Sequence, residues 1–90
     1  MNTSFKQSLR AKAHHLNPVV TLGSKGLTPA VIEETNIALQ THELIKVKVN
    51  GAEKATRQEI ATSLCTALSA DLIQMIGNII VLYRKNDDKN

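Results

Sequence analysis

The chain has 90 residues, of which 42% are hydrophobic and 21% charged. That length holds one domain with a small core, so it excludes a multi-domain enzyme or a long repeat array, and the composition argues against disorder over the main body. The net charge of +3 is unevenly spread: residues 1–32 carry Lys6, Arg10, Lys12 and Lys25 with no acid, while the other 58 residues hold seven basic and eight acidic side chains. Positive charge concentrated at one end suggests an anionic partner.

The first helix is expected from a cap at Thr3 or Ser4 to about His15. Phe5, Leu9, Ala13 and Leu16 fall in one arc at about 100° per residue. Lys6, Arg10 and His14 form a second stripe turned away from it. Asn17–Pro18 stops the helix, because the residue before proline disfavours the α conformation. Val19–Leu22 reads as a short strand, and Pro18 at its start suits a sheet edge. After the loop Gly23-Ser24-Lys25-Gly26, Thr28 caps a helix with Pro29 at its first position, running to about Thr41. Its buried face takes Val31, Thr35, Ala38 and Leu39.

Leu44–Asn50 alternates clearly, with Ile45, Val47 and Val49 on one face and Lys46, Lys48 and Asn50 on the other. Thr56-Arg57-Gln58-Glu59 has capping-box spacing and predicts a third helix to about Ser69, with Ile60, Leu64, Ala67 and Leu68 as its apolar stripe. Leu72–Ile76 and Ile79–Arg84 read as strands joined through Gly77–Asn78, a two-residue turn of type I′ or II′. The last strand is continuously apolar, as an interior strand would be. The order αβαβαββ, with right-handed crossovers, gives an α+β domain with a two-layer core. Its four-stranded mixed sheet has the order 1-2-4-3. One domain is expected over residues 1–84, with a mobile polar tail at 85–90.

Several chemistries find no support. His14 and His15 are adjacent and point about 100° apart on a helix, so they do not share a metal easily. His42 lies far off in sequence, and no zinc-ligand spacing exists. No cofactor motif or catalytic residue is recognisable, and Cys65 reads as a small core or boundary side chain. A lone cysteine, the lack of an apolar leader segment and the absence of any apolar run near 20 residues give the expectation of a cytoplasmic protein. With only Phe5 and Tyr83 as aromatics, an exposed stacking platform on a sheet is excluded. Any RNA binding should then depend on backbone, shape and charge, and so be salt-sensitive.

The Gly23–Gly26 loop lies between a strand and a helix amino terminus. Backbone N–H groups there favour an anion, and glycine lets a phosphate approach the main chain. Lys25 at the loop tip adds charge. The same sequence also serves as an ordinary βα turn. The Lys6/Arg10/His14 stripe with Lys12 could contact phosphates, since no acid interrupts it, and it also serves as a solvated helix face. Lys46 and Lys48 read as solubilising residues that discourage edge pairing, or as a surface for an acidic protein partner.

Six segments occur in an order that resembles a known family: Leu9-Arg10-Ala11 with Ala13-His14; Pro18-Val19-Val20; Gly23 to Thr28; His42 to Val49; Gln74-Met75-Ile76-Gly77; and Leu82-Tyr83-Arg84. Together they look like the bacterial YhbY family, the stand-alone form of the CRM RNA-binding domain. The resemblance implies an RNA-binding protein, not an enzyme, that associates with precursors of the large ribosomal subunit. Related domains in plant organelles act in group II intron splicing, so a splicing or chaperone role stays open beside assembly. It also implies a fold similar to the carboxy-terminal domain of translation initiation factor three, with an added amino-terminal helix. The RNA contacts it implies are Gly23, Ser24, Lys25 and Gly26, with Arg10 and His14 from the basic first helix. Many members carry lysine directly after the first glycine; here Ser24 stands there and Lys25 follows. A monomer is expected, since one core accounts for the apolar positions.

Overall fold

In a computed structural model, which describes residues 1–86, the elements are α1 (Thr3–Ala13), β1 (Pro18–Leu22), α2 (Pro29–His42), β2 (Leu44–Val49), α3 (Lys54–Leu68), β3 (Asp71–Ile76) and β4 (Ile79–Tyr83). The sheet order is β1-β2-β4-β3, as the strand logic predicts. β1 and β2 pair in parallel, and β4 runs antiparallel to both β2 and β3. β1, with Pro18 at its start, is an edge strand, where a missing N–H does least harm.

One face of the sheet carries the main core. Val20 and Leu22 of β1, Ile45, Val47 and Val49 of β2, and Ile80 and Leu82 of β4 meet Leu39 of α2 and Ile60, Ala61, Leu64 and Leu68 of α3. Burying each such aliphatic side chain stabilises the fold by roughly 1.5–3 kcal/mol. Both crossover helices therefore share this face. Thr35 is fully buried among these side chains, and its hydroxyl donates to Val31 O at 2.8 Å, so no polar atom is stranded there.

Helix α1 lies on the opposite face, a placement the sequence left open. Leu9 and Ala13 pack there on Ile73 and Val81. β4 is thus apolar throughout because both its faces are covered: Ile80 and Leu82 point one way and Val81 the other. Phe5 stays 42% exposed, but its ring meets Tyr83 edge-on at 5.5 Å, a favoured aromatic geometry.

Three local expectations need correction. The α1 cap is Asn2, not Thr3 or Ser4; its side chain accepts from Phe5 N–H at 2.8 Å. Three neighbouring cap formers left the choice open by one or two residues. Helix α3 starts at Lys54 with Glu53 at its N-cap and no side-chain cap bond, so Thr56–Glu59 is a helical turn rather than a capping box. Lys54 and Ala55, both good helix formers, extend the helix upstream. Ala67 is exposed and Ala61 is buried in its place. The buried arc of α3 is centred nearer Leu64, and Ala67 falls just outside it.

At the other end of α3, Ser69 adopts a left-handed conformation (φ 54°, ψ 42°), and its N–H and that of Ala70 both reach Cys65 O. Of the hairpin pair, Gly77 alone has positive φ, which selects type II′ over I′. In the polar tail expected at 85–90, Lys85 is exposed, while Asn86 N–H donates to Glu43 Oε2 at 2.7 Å and its side chain donates to Gln40 O. The rest of that segment, 87–90, lies outside the described residues.

Candidate nucleic-acid interface

The Gly23–Gly26 segment is a tight turn closed by Gly26 N–H donating to Gly23 O at 3.0 Å. Gly26 has φ +67°, which only glycine adopts at little cost. The turn puts Ser24 and Lys25 at an exposed tip. Thr28 caps α2 as expected, accepting from Val31 N–H at 3.2 Å. Ile32 N–H is bonded to Thr28 O, and Pro29 has none to give. The helix terminus thus has little free donor capacity beyond Ala30, and the anion-binding potential of this corner rests on the exposed tip and the Lys25 charge.

The loop has two unlike sides. Towards α3 a hollow of about 250 Å³ lies between it and the Gly51–Glu53 loop, and Glu53 lines it. A carboxylate there disfavours phosphate. On the other side the loop continues β1, where Thr21 stands opposite Lys48 of β2. An anion at this corner is therefore favoured on the face that α1 shares.

That face holds a second group of basic side chains. Arg10 and His14 of α1 and Lys46 of β2 line a cleft of about 230 Å³, together with Ala13, Gln74, Ile76, Ile79 and Val81. Among the described residues no acidic side chain lines it. A β-bulge between Leu72 and Gln74 shapes its wall. The bulge inserts an extra residue, Ile73, and Arg10 Nε donates to the Ile73 carbonyl at 3.2 Å. The guanidinium is thereby held at the rim of the cleft, and among the described residues its two terminal nitrogens make no hydrogen bond. Lys6 lies one turn before Arg10 on the same helical stripe.

The predicted residues do not all converge. Arg10 and His14 face the same end of the sheet as the Gly23–Gly26 loop. Lys12 faces the other flank of α1, where it lines a cleft of about 450 Å³ with Leu16, Asn17, Val19, His42, Leu44 and Ile45. Lys46 and Lys48 need a different account from edge protection, because β2 is an interior strand. They are half-buried on the face that α1 covers only in part. The alternation of these lysines with buried residues was visible in the sequence, and the expected sheet order put the strand in the interior; that its lysine face is only partly covered was not visible.

The charge has a direction along the strands. At the end away from the Gly23–Gly26 loop, Tyr83 pairs with Leu44 and Asp71. Its hydroxyl pKa is pushed up, first by burial and then by the carboxylates of Glu43 and Asp71. Arg84, in the same region, is structural rather than free for a ligand. Its Nη1 donates to Asn36 Oδ1 at 2.9 Å and Leu68 O at 3.0 Å, and its Nη2 to Asn36 O at 3.2 Å. The basic end and the acidic end are thus separated by the length of the sheet.

Other chemistries find little here. Among the described residues no three His, Cys, Asp or Glu side chains come together in a way that holds a metal ion. Cys65 is half-buried, and burial, with a smaller effect from Asp71, pushes its thiol pKa up. That lowers the thiolate fraction a nucleophile needs. No helix among the described residues is long and apolar enough to cross a membrane.

Comparison with known proteins identifies the family and the fold. An RNA-binding protein of Haemophilus influenzae is 49% identical over 88 residues, covering 98% of this chain and 89% of that protein. The Bacillus subtilis protein YqeI, named a probable RNA-binding protein, is 37% identical over 83 residues, 92% of this chain and 86% of its own length. The solution structure of SAV1595 from Staphylococcus aureus matches the whole chain and 94% of its own, with a TM-score of 0.86 at 31% identity. The CRS1 / YhbY (CRM) domain pattern matches residues 1–84, so the chain belongs to the CRS1/YhbY (CRM) domain family.

Proposed function

We propose that this chain is a non-catalytic RNA-binding protein that aids assembly of the large ribosomal subunit by binding its precursor RNA. Gly23, Ser24, Lys25 and Gly26 contact the backbone from the loop, and Arg10, His14 and Lys6 do so from α1. Lys12, on the far flank of the helix, adds a longer-range attraction. The protein works as a monomer in the cytoplasm, without a cofactor.

The observation that carries this reading is the grouping of Arg10, His14 and Lys46 around one cleft, with Lys48 of the same strand standing opposite Thr21, two residues before the Gly23–Gly26 loop. A track of cations with exposed backbone suits a polyanion better than a small substrate. The names of the relatives supply the polyanion, and the family membership makes ribosomal precursors the first target to test.

The test is low-salt gradient sedimentation of the tagged protein from cells, with and without ribonuclease. The expected result is co-migration with particles carrying precursor large-subunit RNA, lost after ribonuclease. Co-migration that survives ribonuclease identifies a protein partner instead, for which Lys46 and Lys48 are the docking candidates. Protein that stays at the top of the gradient overturns the ribosomal role and returns the choice to a chaperone or splicing-type RNA target.

A further inference from the structure

We propose that the cleft between α1 and the β3–β4 hairpin takes one unpaired nucleotide of a single-stranded RNA segment, with its base on the aliphatic floor and its phosphates on the basic rim. This rests on the RNA-binding reading above and adds to it a contact made by the base itself.

Three properties of the cleft carry the inference. The first is size. At about 230 Å³ it falls below the roughly 300–1,000 Å³ of drug-sized pockets, which suits one flat base and not a peptide side or a folded helix. A duplex keeps its bases stacked inside, so only an unpaired nucleotide can enter.

The second is the arrangement of chemistry. Ile76 and Ile79, with Val81 beneath, give an apolar floor, and Ile76 is 57% exposed with no protein partner covering that exposed part. An exposed isoleucine beside Arg10, Lys46 and the His14 imidazole is poorly placed on a merely solvated face. Gln74 stands at the side, and its amide offers two donors and an acceptor, the complement a base edge requires. Lys46, Arg10 and His14 surround this floor without a carboxylate among them, so the charge matches a phosphate flanking the base.

The third is preorganisation. Arg10 is not a loose surface arginine, because its Nε–H is bonded to the Ile73 carbonyl that the bulge exposes. Guanidinium planes serve as stacking partners for splayed-out RNA bases. Here the plane is fixed at the cleft rim, where it can cover a base from one side while Ile76 and Ile79 support it from the other. The two aromatic rings, which would be the usual stacking groups, are engaged with each other at 5.5 Å at the far end of α1. From the cleft, Lys48 and Thr21 lead on to the Gly23–Gly26 loop, so the adjoining backbone has a continuous path.

The experiment uses the purified full chain, a fluorescein-labelled 12-nucleotide single-stranded RNA of mixed sequence and a 12-base-pair RNA duplex as probes. Affinities are read by anisotropy at several salt concentrations. Ile76→Ala and Gln74→Ala remove no charge, and both sit on a partly exposed strand, so circular dichroism will show the fold retained. Each is expected to weaken single-strand binding by about fivefold, the size of one modest packing or hydrogen-bonding contact. Duplex affinity and the salt slope should stay as in the unaltered protein. Lys25→Ala serves as the contrast and should weaken both probes.

Equal loss on both probes, or no loss on the single strand, overturns the nucleotide site. If Lys25→Ala still weakens binding in that case, the RNA-binding reading stands without it. If the unaltered protein binds neither probe, both fail together.

Discussion

The two faces of the sheet come from the same strands and do opposite things. On the side of α2 and α3, thirteen buried residues form one cluster, and Thr35, the buried polar residue there, is satisfied inside its own helix. On the side of α1, the buried cluster has four members, Leu9, Ala13, Ile73 and Val81. Around it the face is open and cationic. β2 shows the contrast within six residues: Ile45, Val47 and Val49 seal one face while Lys46 and Lys48 line the other. A period-2 strand can divide labour in this way only if its register is fixed, and the interior position of β2 fixes it from both sides.

The most severe way to break the contrast is to damage the sealed face. Leu39→Ala should cost about 2–5 kcal/mol, because Leu39 is fully buried and a large-to-small change leaves a cavity as well as losing transfer energy. Leu9→Ala, on the α1 face, should cost near 2 kcal/mol, since its smaller and more open cluster can collapse around the gap. Urea unfolding of the two variants measures the difference. A larger loss from Leu9→Ala would mean that α1 is part of the main core rather than an addition to it.

Arg84→Ala is the next in size. Its guanidinium holds α2, through Asn36, and the end of α3, through Leu68 O. Removing it strands acceptors that water reaches only in part, and a loss of about 1.5–3 kcal/mol follows for hydrogen bonds to a charged group. RNA affinity should fall far less than stability. A strong fall in affinity with unchanged unfolding would make Arg84 an RNA contact and weaken the division between faces.

Lys25→Ala and Lys46→Ala probe the open face directly. Each removes one phosphate contact, so each should lower the magnitude of the salt slope by about 0.7–0.9 and leave urea unfolding unchanged. Lys12→Ala, pointing to the other flank of α1, should have a smaller effect on affinity. Equal effects from Lys12 and Lys46 would show that net charge, not the cleft, governs binding.

Much of this division was legible in the chain. The alternation in Leu44–Val49, the apolar run of β4 and the Thr28–Pro29 helix start were each specified by local pattern, and together they sufficed for the sheet order. The site was legible in part. Gly23–Gly26 and the Arg10/His14 stripe are local features, and they stand out in a list of residues. The cleft is not local: it needs the side of the sheet on which α1 lies, and an amphipathic helix fits either face of a sheet equally well by pattern. The bulge at Leu72–Gln74 was equally hidden, because one extra residue in an edge strand leaves no mark in hydropathy, and without it the place of Ile73 and the Arg10 bond cannot be derived. Misplacing the α3 cap by three residues, Thr56 for Glu53, has a similar origin. Thr56-x-x-Glu59 carries the letters of a cap, but Lys54 and Ala55 favour a helix strongly enough to start it earlier.

Ser69→Gly makes the smallest change and isolates one face from the other. Ser69 ends α3 with φ 54° and ψ 42°, a conformation that costs a residue with a Cβ about 1 kcal/mol and glycine almost none. Its side chain is exposed, so nothing packed is lost on removing it. Glycine also loses more freedom on folding than serine, which offsets part of the gain. The net expectation is a stabilisation of about 0.5 kcal/mol, visible as a higher urea midpoint with an unchanged slope. Affinity for RNA should not move, because α3 lies across the sheet from the cleft and its end is far from the Gly23–Gly26 loop. If the variant binds more weakly while unfolding later, the sealed face is coupled to the open one, and rigidity of the α3 terminus has a part in binding that the static contacts do not convey.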